Sequence, residues 1–168
     1  MDLTFKQLDP ENDIPELSEL AVKIWNAYYP EVITQAQIDY MLGQSYTAEA
    51  LREQMLEDKH IFTGAYNDGK MVGYISLSTD GLGEYFIHKL YVDTLFHRKG
   101  IGRALFEYVF DNSNFTAIRL TVNRQNFKAV NFYFRIGFII EKVADFDIGN
   151  GFVMNDFVML LSHSNGDR

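Results

Sequence analysis

The stretch Leu90-Tyr91-Val92-Asp93-Thr94-Leu95-Phe96-His97-Arg98-Lys99-Gly100-Ile101-Gly102-Arg103-Ala104-Leu105 decides the reading of this chain. It passes from an apolar strand-like run, through a short loop, into a segment with helical spacing of apolar residues. Gly100 and Gly102 let the backbone approach a ligand closely. The free N–H groups and positive end of the helix that starts there make an anion site. His97, Arg98, Lys99 and Arg103 concentrate positive charge at this point of a chain whose net charge is −8. Such clustering suits a pyrophosphate. It is also what a glycine-bearing loop with solvated basic residues looks like. Two nucleotide motifs are excluded: there is no G-x-x-x-x-G-K-[ST], and Leu105 stands where the dinucleotide fingerprint needs a third small residue.

Working outward, the pattern before this stretch is strand, three helices, then strands. Leu3–Gln7 reads as a strand and Asp9–Asp13 as a turn with helix-start chemistry. Ile14 to about Tyr28 is a helix with Leu17, Leu20, Ala21, Ile24 and Trp25 on one face, stopped by Pro30. Thr34-Gln35-Ala36-Gln37 is a capping box, with Ile33 and Ile38 placed to staple it, for a helix ending near Gly43. Thr47 caps a third helix running to about Asp58. His60–Tyr66 and Met71–Ser78 flank the hairpin turn Asn67-Asp68-Gly69-Lys70. Glu84–Val92 is the strand entering the opening stretch, and Gly100–Phe110 the helix leaving it. Ala117–Val122 reads as a strand, Asn126–Arg135 as a helix, and Gly137–Phe146 with Phe152–Leu161 as a closing strand pair. An antiparallel start followed by strand–helix–strand crossovers implies an α/β (α+β) fold: a mixed sheet with helices on both faces.

With 168 residues, 47% of them hydrophobic, the chain suits one domain over residues 1–161, followed by a frayed tail over 162–168. There is no Cys, hence no disulfide framework and no Cys-based metal site. The four His show no H-x-x-x-H spacing, so no metal is expected. The acidic balance argues against nucleic acid as a partner and suits a cationic small molecule. No apolar run approaches the ~18 residues that span a bilayer, and the N-terminus lacks signal-peptide character, so a cytoplasmic protein without membrane partners is expected.

A second motif lies downstream, Asn126-Phe127-Lys128-Ala129-Val130-Asn131-Phe132-Tyr133-Phe134-Arg135-Ile136-Gly137-Phe138. It resembles the Asn-x-x-Ala-x-x-x-Tyr-x-x-x-Gly-Phe signature of the GNAT superfamily of N-acetyltransferases. The opening stretch resembles that family's Gln/Arg-x-x-Gly-x-Gly/Ala acetyl-CoA signature after a strand ending Leu-x-Val. Leu90, Val92, Gly100 and Gly102 match, whereas His97 stands where Gln or Arg is usual. The element order also resembles GNAT topology, a mostly antiparallel seven-stranded sheet.

The resemblance implies acetyl-CoA as cosubstrate, bound by Leu90, Tyr91, Val92, His97, Arg98, Lys99, Gly100, Ile101, Gly102, Arg103, Ala104, Asn123, Asn126, Ala129, Phe132, Tyr133 and Arg135. It implies direct attack by a primary amine in a ternary complex. Tyr133 would protonate the thiolate, and Asn126 is also a natural helix cap. For the base, Glu84 and His88 share a strand face, and His88 has the better-placed unperturbed pKa. The acceptor site would draw on Trp25, Tyr28, Tyr29, Tyr40 and Tyr46, with Phe146, Asp147, Phe152 and Asp156 opposite, aromatics and carboxylates that together suit a cation. Gln37–Leu42, Tyr46–Leu51 and Glu84–Val92 resemble the PaiA-type spermidine/spermine branch, which makes a polyamine the leading acceptor. A homodimer is expected from the same resemblance. Two readings compete: a protein N-acetyltransferase, and a silent CoA-binding module.

Overall fold

The structure is a computed structural model that describes residues 2–163. Its elements are β1 (Leu3–Gln7), α1 (Ile14–Tyr28), α2 (Gln35–Ser45), α3 (Ala48–Leu56), β2 (Ile61–Asn67), β3 (Lys70–Thr79), β4 (Glu84–Val92), α4 (Ile101–Phe110), β5 (Ala117–Asn123), α5 (Phe127–Ile136), β6 (Ile139–Gly149) and β7 (Phe152–Ser162). Single 3₁₀ turns occupy Tyr29–Glu31 and Thr94–Phe96. The strands hydrogen-bond in the order β1-β2-β3-β4-β5-β7-β6. Every register that involves β1, β2, β6 or β7 is antiparallel, whereas β4 and β5 run parallel. This is the mixed sheet that the sequence pattern implies, and the mostly antiparallel seven-stranded one that the family resemblance implies. No helix among the described residues is long and apolar enough to cross a membrane.

Contacts divide the chain into two units, and β4 passes from one to the other between His88 and Lys89. The first unit holds residues through Ser78 together with Lys89–Asn112. Its core sets Leu17, Leu20, Ala21, Ile24 and Trp25 of α1 with Ile38, Leu51, Phe62, Met71 and Tyr74. These are the α1 positions that helical periodicity selects, and each fully buried aliphatic side chain contributes about 1.5–3 kcal/mol. The local signals act as expected. Thr34 Oγ1 accepts from Gln37 N–H and Thr47 Oγ1 from Ala50 N–H, both at 3.2 Å. Asp68 and Gly69 take φ of 52° and 76°, the two left-handed residues that a type I′ hairpin turn requires.

The second unit holds Thr79–His88 and the chain from Ser113 onward. Here β5 pairs in parallel with β4 over Glu84–Ile87 and antiparallel with β7 along its whole length. Ile118, Leu120, Val130, Tyr133, Phe138 and Met159 are buried.

Some boundaries differ from the sequence reading. The helix expected to end near Gly43 continues to Ser45, and the one expected to reach Asp58 ends at Leu56. Gly137 belongs to the end of α5 and not to the start of β6. Its φ of 116° is left-handed, and its N–H and that of Phe138 close onto the Tyr133 carbonyl, a capping geometry that favours glycine. At the C-terminus Ser162 completes β7, and His163 N–H donates to the Thr116 carbonyl at 3.3 Å. The rest of the expected tail, residues 164–168, lies outside the described residues.

Candidate active site

In the first unit, the end of β4 is fixed before the loop begins. Asp93 is 3% exposed; its N–H donates to the Val72 carbonyl at 2.9 Å and its carboxylate accepts from Leu95 N–H at 3.1 Å. Lys23, on α1, places its ammonium 2.5 Å from the other carboxylate oxygen. The His97 ring turns back to within 2.9 Å of the Val92 carbonyl, and Lys99 lies 4.8 Å over the Phe96 ring. Arg103 is paired with Glu107 one helical turn on, at 2.7 Å. The basic side chains expected to hold phosphate therefore mostly have partners of their own.

The backbone of this loop has the geometry of an anion cradle. Arg98 and Gly100 take φ of 62° and 78°, so the chain turns twice through the left-handed region immediately before α4. Such a turn aims successive N–H groups into one concavity, and the α4 N-terminus adds its own unpaired donors. A Cβ built on Gly100 would meet no atom within 4 Å, so the space above it is open to a ligand. No side chain caps α4. A pyrophosphate fits this junction.

The first unit also gathers most of the expected acceptor residues. Trp25 stacks on Tyr29 at 4.2 Å and lies 5.4 Å from Tyr46 and 5.8 Å from Tyr91. The Tyr29 and Tyr91 hydroxyls are 3.1 Å apart. Tyr28 touches Tyr29 and also the His97 ring, at 5.3 and 6.0 Å, which links this cluster to the loop before α4. Tyr40 is half-buried on α2. Trp25, Tyr29 and Tyr46 are buried in the core, and burial raises the Tyr46 phenol well above its ordinary range. A cation is already present. Lys89 is buried, with its ammonium 2.8 Å from Gln54 Oε1 and over the Tyr46 and Phe62 rings at 5.2 and 5.8 Å. Burial pushes its pKa down to about 8. The sequence reading passed over Lys89 and the Lys23–Asp93 pair. Only the short spacing of Asp93 to Leu95 N–H was a usable local signal for either.

In the second unit, Asn126 is buried and caps α5 by accepting from Ala129 N–H at 3.2 Å. That helix presents Ala129 and Phe132 half-buried, Tyr133 buried and Arg135 exposed. Rings of Phe132 and Phe138 stand edge-on to Tyr133 at 5.2 and 5.4 Å. Asn123 spends its amide oxygen on Gln125 N–H. Glu84 and His88 lie exposed on the same face of β4. The Glu84 carboxylate is 2.6 Å from Arg119, which is also bonded to Glu141. His88 is 4.9 Å from the Phe86 ring. Phe146, Asp147 and Phe152 lie toward the β6–β7 turn, whereas Asp156 is buried on β7. Among the described residues no cluster of three His, Asp or Glu is arranged to hold a metal ion.

A sheet whose fourth strand runs into a glycine-opened helix start, followed by a strand and an Asn-capped helix bearing a buried tyrosine, is the arrangement that the resemblance to the acetyl-CoA-dependent N-acetyltransferases implies. The family model for the acetyltransferase (GNAT) domain matches residues 30–159, and the chain belongs to that family. It is thus an N-acetyltransferase that takes its acetyl group from acetyl-CoA. An uncharacterized N-acetyltransferase of Mycobacterium tuberculosis is 26% identical over 151 residues, 88% of this chain and 96% of that protein. The crystal structure of a PaiA N-acetyltransferase from Thermoplasma acidophilum, in complex with coenzyme A, is similar with a TM-score of 0.79 and 26% identity, covering 97% of this chain and all of that one. The ribosomal-protein-S18-alanine N-acetyltransferase of Escherichia coli shares the fold, with a TM-score of 0.73 at 18% identity over 99% of both chains.

Proposed function

We propose that this protein acetylates a primary amine of a small molecule, with polyamines the leading class. The observation that carries the acceptor assignment is the likeness to the PaiA N-acetyltransferase over nearly the whole of both chains. The acidic balance of the protein, −8, supports a cationic acceptor by raising its local concentration.

In this reading the N–H groups from Arg98 to Arg103 hold the pyrophosphate, and the Leu90–Val92 backbone hydrogen-bonds the pantetheine arm and the thioester carbonyl. Preorganised backbone donors stabilise the charge that develops on that oxygen. The amine attacks only when neutral. Its proton leaves across the sheet face that carries Glu84, His88, Arg119 and Thr121. The new N–C bond forms as the C–S bond breaks, and the Tyr133 hydroxyl protonates the departing thiolate.

The test is release of free thiol from acetyl-CoA across polyamines, amino acids, aminoglycosides and peptides. Turnover with at least one small amine, and preference for it over peptides, is the expected result. Tyr133→Phe should lower kcat by roughly 100-fold or more while leaving CoA affinity within about twofold. CoA binding without turnover on any acceptor would instead identify a silent module, and turnover confined to peptides would refute the small-molecule reading.

A further inference from the structure

The strands of the second unit carry several carboxylates, and most have cationic partners. Glu84 and Glu141 share Arg119, and Asp145 is 2.9 Å from the Arg124 guanidinium. Asp156 is different. It sits on β7 between Asn123 of β5 and Ala144 of β6, and it is 3% exposed. Its Oδ1 is buried with no hydrogen-bond partner among the described residues. The guanidinium of Arg124 is turned to Asp145 and, at 3.5 Å, to the backbone carbonyl of Asp156. Among the described residues no ion pair reaches the Asp156 carboxyl. The groups that face it are the Thr121 hydroxyl and Arg124 from the β5 side and Asp145 from β6.

Thr121 is an exposed neighbour of this carboxyl. It pairs with Val158, two residues from Asp156, so the two side chains are diagonal neighbours on one face. Its hydroxyl hydrogen-bonds the carboxyl, and Thr121 itself is exposed. Burial pushes the carboxyl up to about 6, against the pull of Thr121 and Arg124. A buried carboxylate without a cation is destabilising, and an apolar residue of similar size would serve the sheet better. Side chains that weaken a fold are concentrated at functional positions. Thr121 also shares its face with Arg119, the partner of Glu84.

We propose that Thr121 and Asp156 form a proton relay in which the exposed hydroxyl takes the proton of the acceptor amine while passing its own to the buried carboxylate. This rests on the amine-acetylation reading. One N–H bond breaks as a Thr121 O–H bond forms, and the former Thr121 O–H bond breaks as an Asp156 O–H bond forms. The amine is left neutral with its lone pair available, no redox change occurs, and after transfer the proton returns through Thr121 to water. Thr121 would touch the acceptor, and Asp156 is a positioning residue that acts through it.

The experiment compares wild type, Asp156→Asn, Thr121→Val and the double variant, using whichever amine the wild type turns over. General-base catalysis contributes roughly 100-fold or more, so kcat/KM should fall by about that factor in each variant, and the double variant should be little worse than either single one. CoA affinity should stay within about twofold. The acid limb of the wild-type pH profile, near the Asp156 value of about 6, should vanish in Asp156→Asn. Wild-type activity and an unchanged acid limb in Asp156→Asn would overturn the relay, as would removal of that limb by His88→Gln alone. Loss of activity with loss of CoA affinity would also overturn it. If the wild type binds CoA but acetylates no amine, the functional reading itself fails, and the relay with it.

Discussion

Replacing Asp156 with Asn should stabilise the protein, and the gain should grow with pH in a defined window. The carboxyl titrates at about 6 in the fold and at 3.8 without it, a difference of roughly two pH units. Each unit is worth about 1.4 kcal/mol, which sets an upper value near 3 kcal/mol. The sign follows from proton linkage: between those values the folded state holds a proton that the unfolded state has lost, so wild-type stability falls as pH rises through the window. Below about pH 4 both states are protonated and the penalty is absent; above about pH 6 it is complete. Asn carries no charge and escapes it, but its amide N–H groups must find acceptors, at a cost of about 1 kcal/mol. A net gain of about 2 kcal/mol at neutral pH, shrinking to zero or below near pH 4, is the expected outcome. Urea denaturation of both proteins at matched pH values measures it directly. A difference that stays constant to within about 0.5 kcal/mol from pH 4 to pH 8 would refute the reasoning, because it would mean that Asp156 titrates alike in both states. Together with the kinetic experiment this separates function from damage, since a variant that is more stable and less active has not lost its fold.

Lys89→Met should stabilise the first unit at neutral pH. Lys89 titrates at about 8 in place of 10.5, so wild-type stability rises with pH through that interval. The methionine should gain up to about 3 kcal/mol near pH 7, less about 1 kcal/mol for the orphaned Gln54 oxygen, with the advantage fading above pH 10.5 in urea titrations. Gly100→Ala meets no steric obstacle but must hold φ at 78°, which costs an L-residue about 1–2 kcal/mol. If that strain distorts the phosphate cradle, the KM for acetyl-CoA should rise roughly tenfold with kcat little changed; an unchanged KM would show that the cradle does not depend on this glycine.

The elements, and the order in which they follow one another, were legible from local chemistry. Helical periodicity selected Leu17 to Trp25, hydroxyl caps marked Thr34 and Thr47, and Asp68-Gly69 marked a hairpin. These signals act within a few residues, where backbone sterics and nearest hydrogen bonds decide the outcome. The strand, glycine turn and helix start of Leu90–Ala104 were legible for the same reason, being contiguous in the chain. What the sequence could not reveal was which distant side chains meet. That Lys23 braces Asp93, that Lys89 places its charge among the aromatic rings, and that Arg119 holds Glu84 all depend on pairings 35 to 70 residues apart. The local pattern around Asp156 reads as an ordinary strand. Only the register of β5 against β7 sets Thr121 diagonal to it, and only the fold buries its carboxyl there, without an ion pair among the described residues. Local sequence therefore determined the elements and the glycine-opened junction between β4 and α4. Strand register and burial, which are properties of the whole fold, decided which of the described charges are paired and where the Asp156 carboxyl is buried.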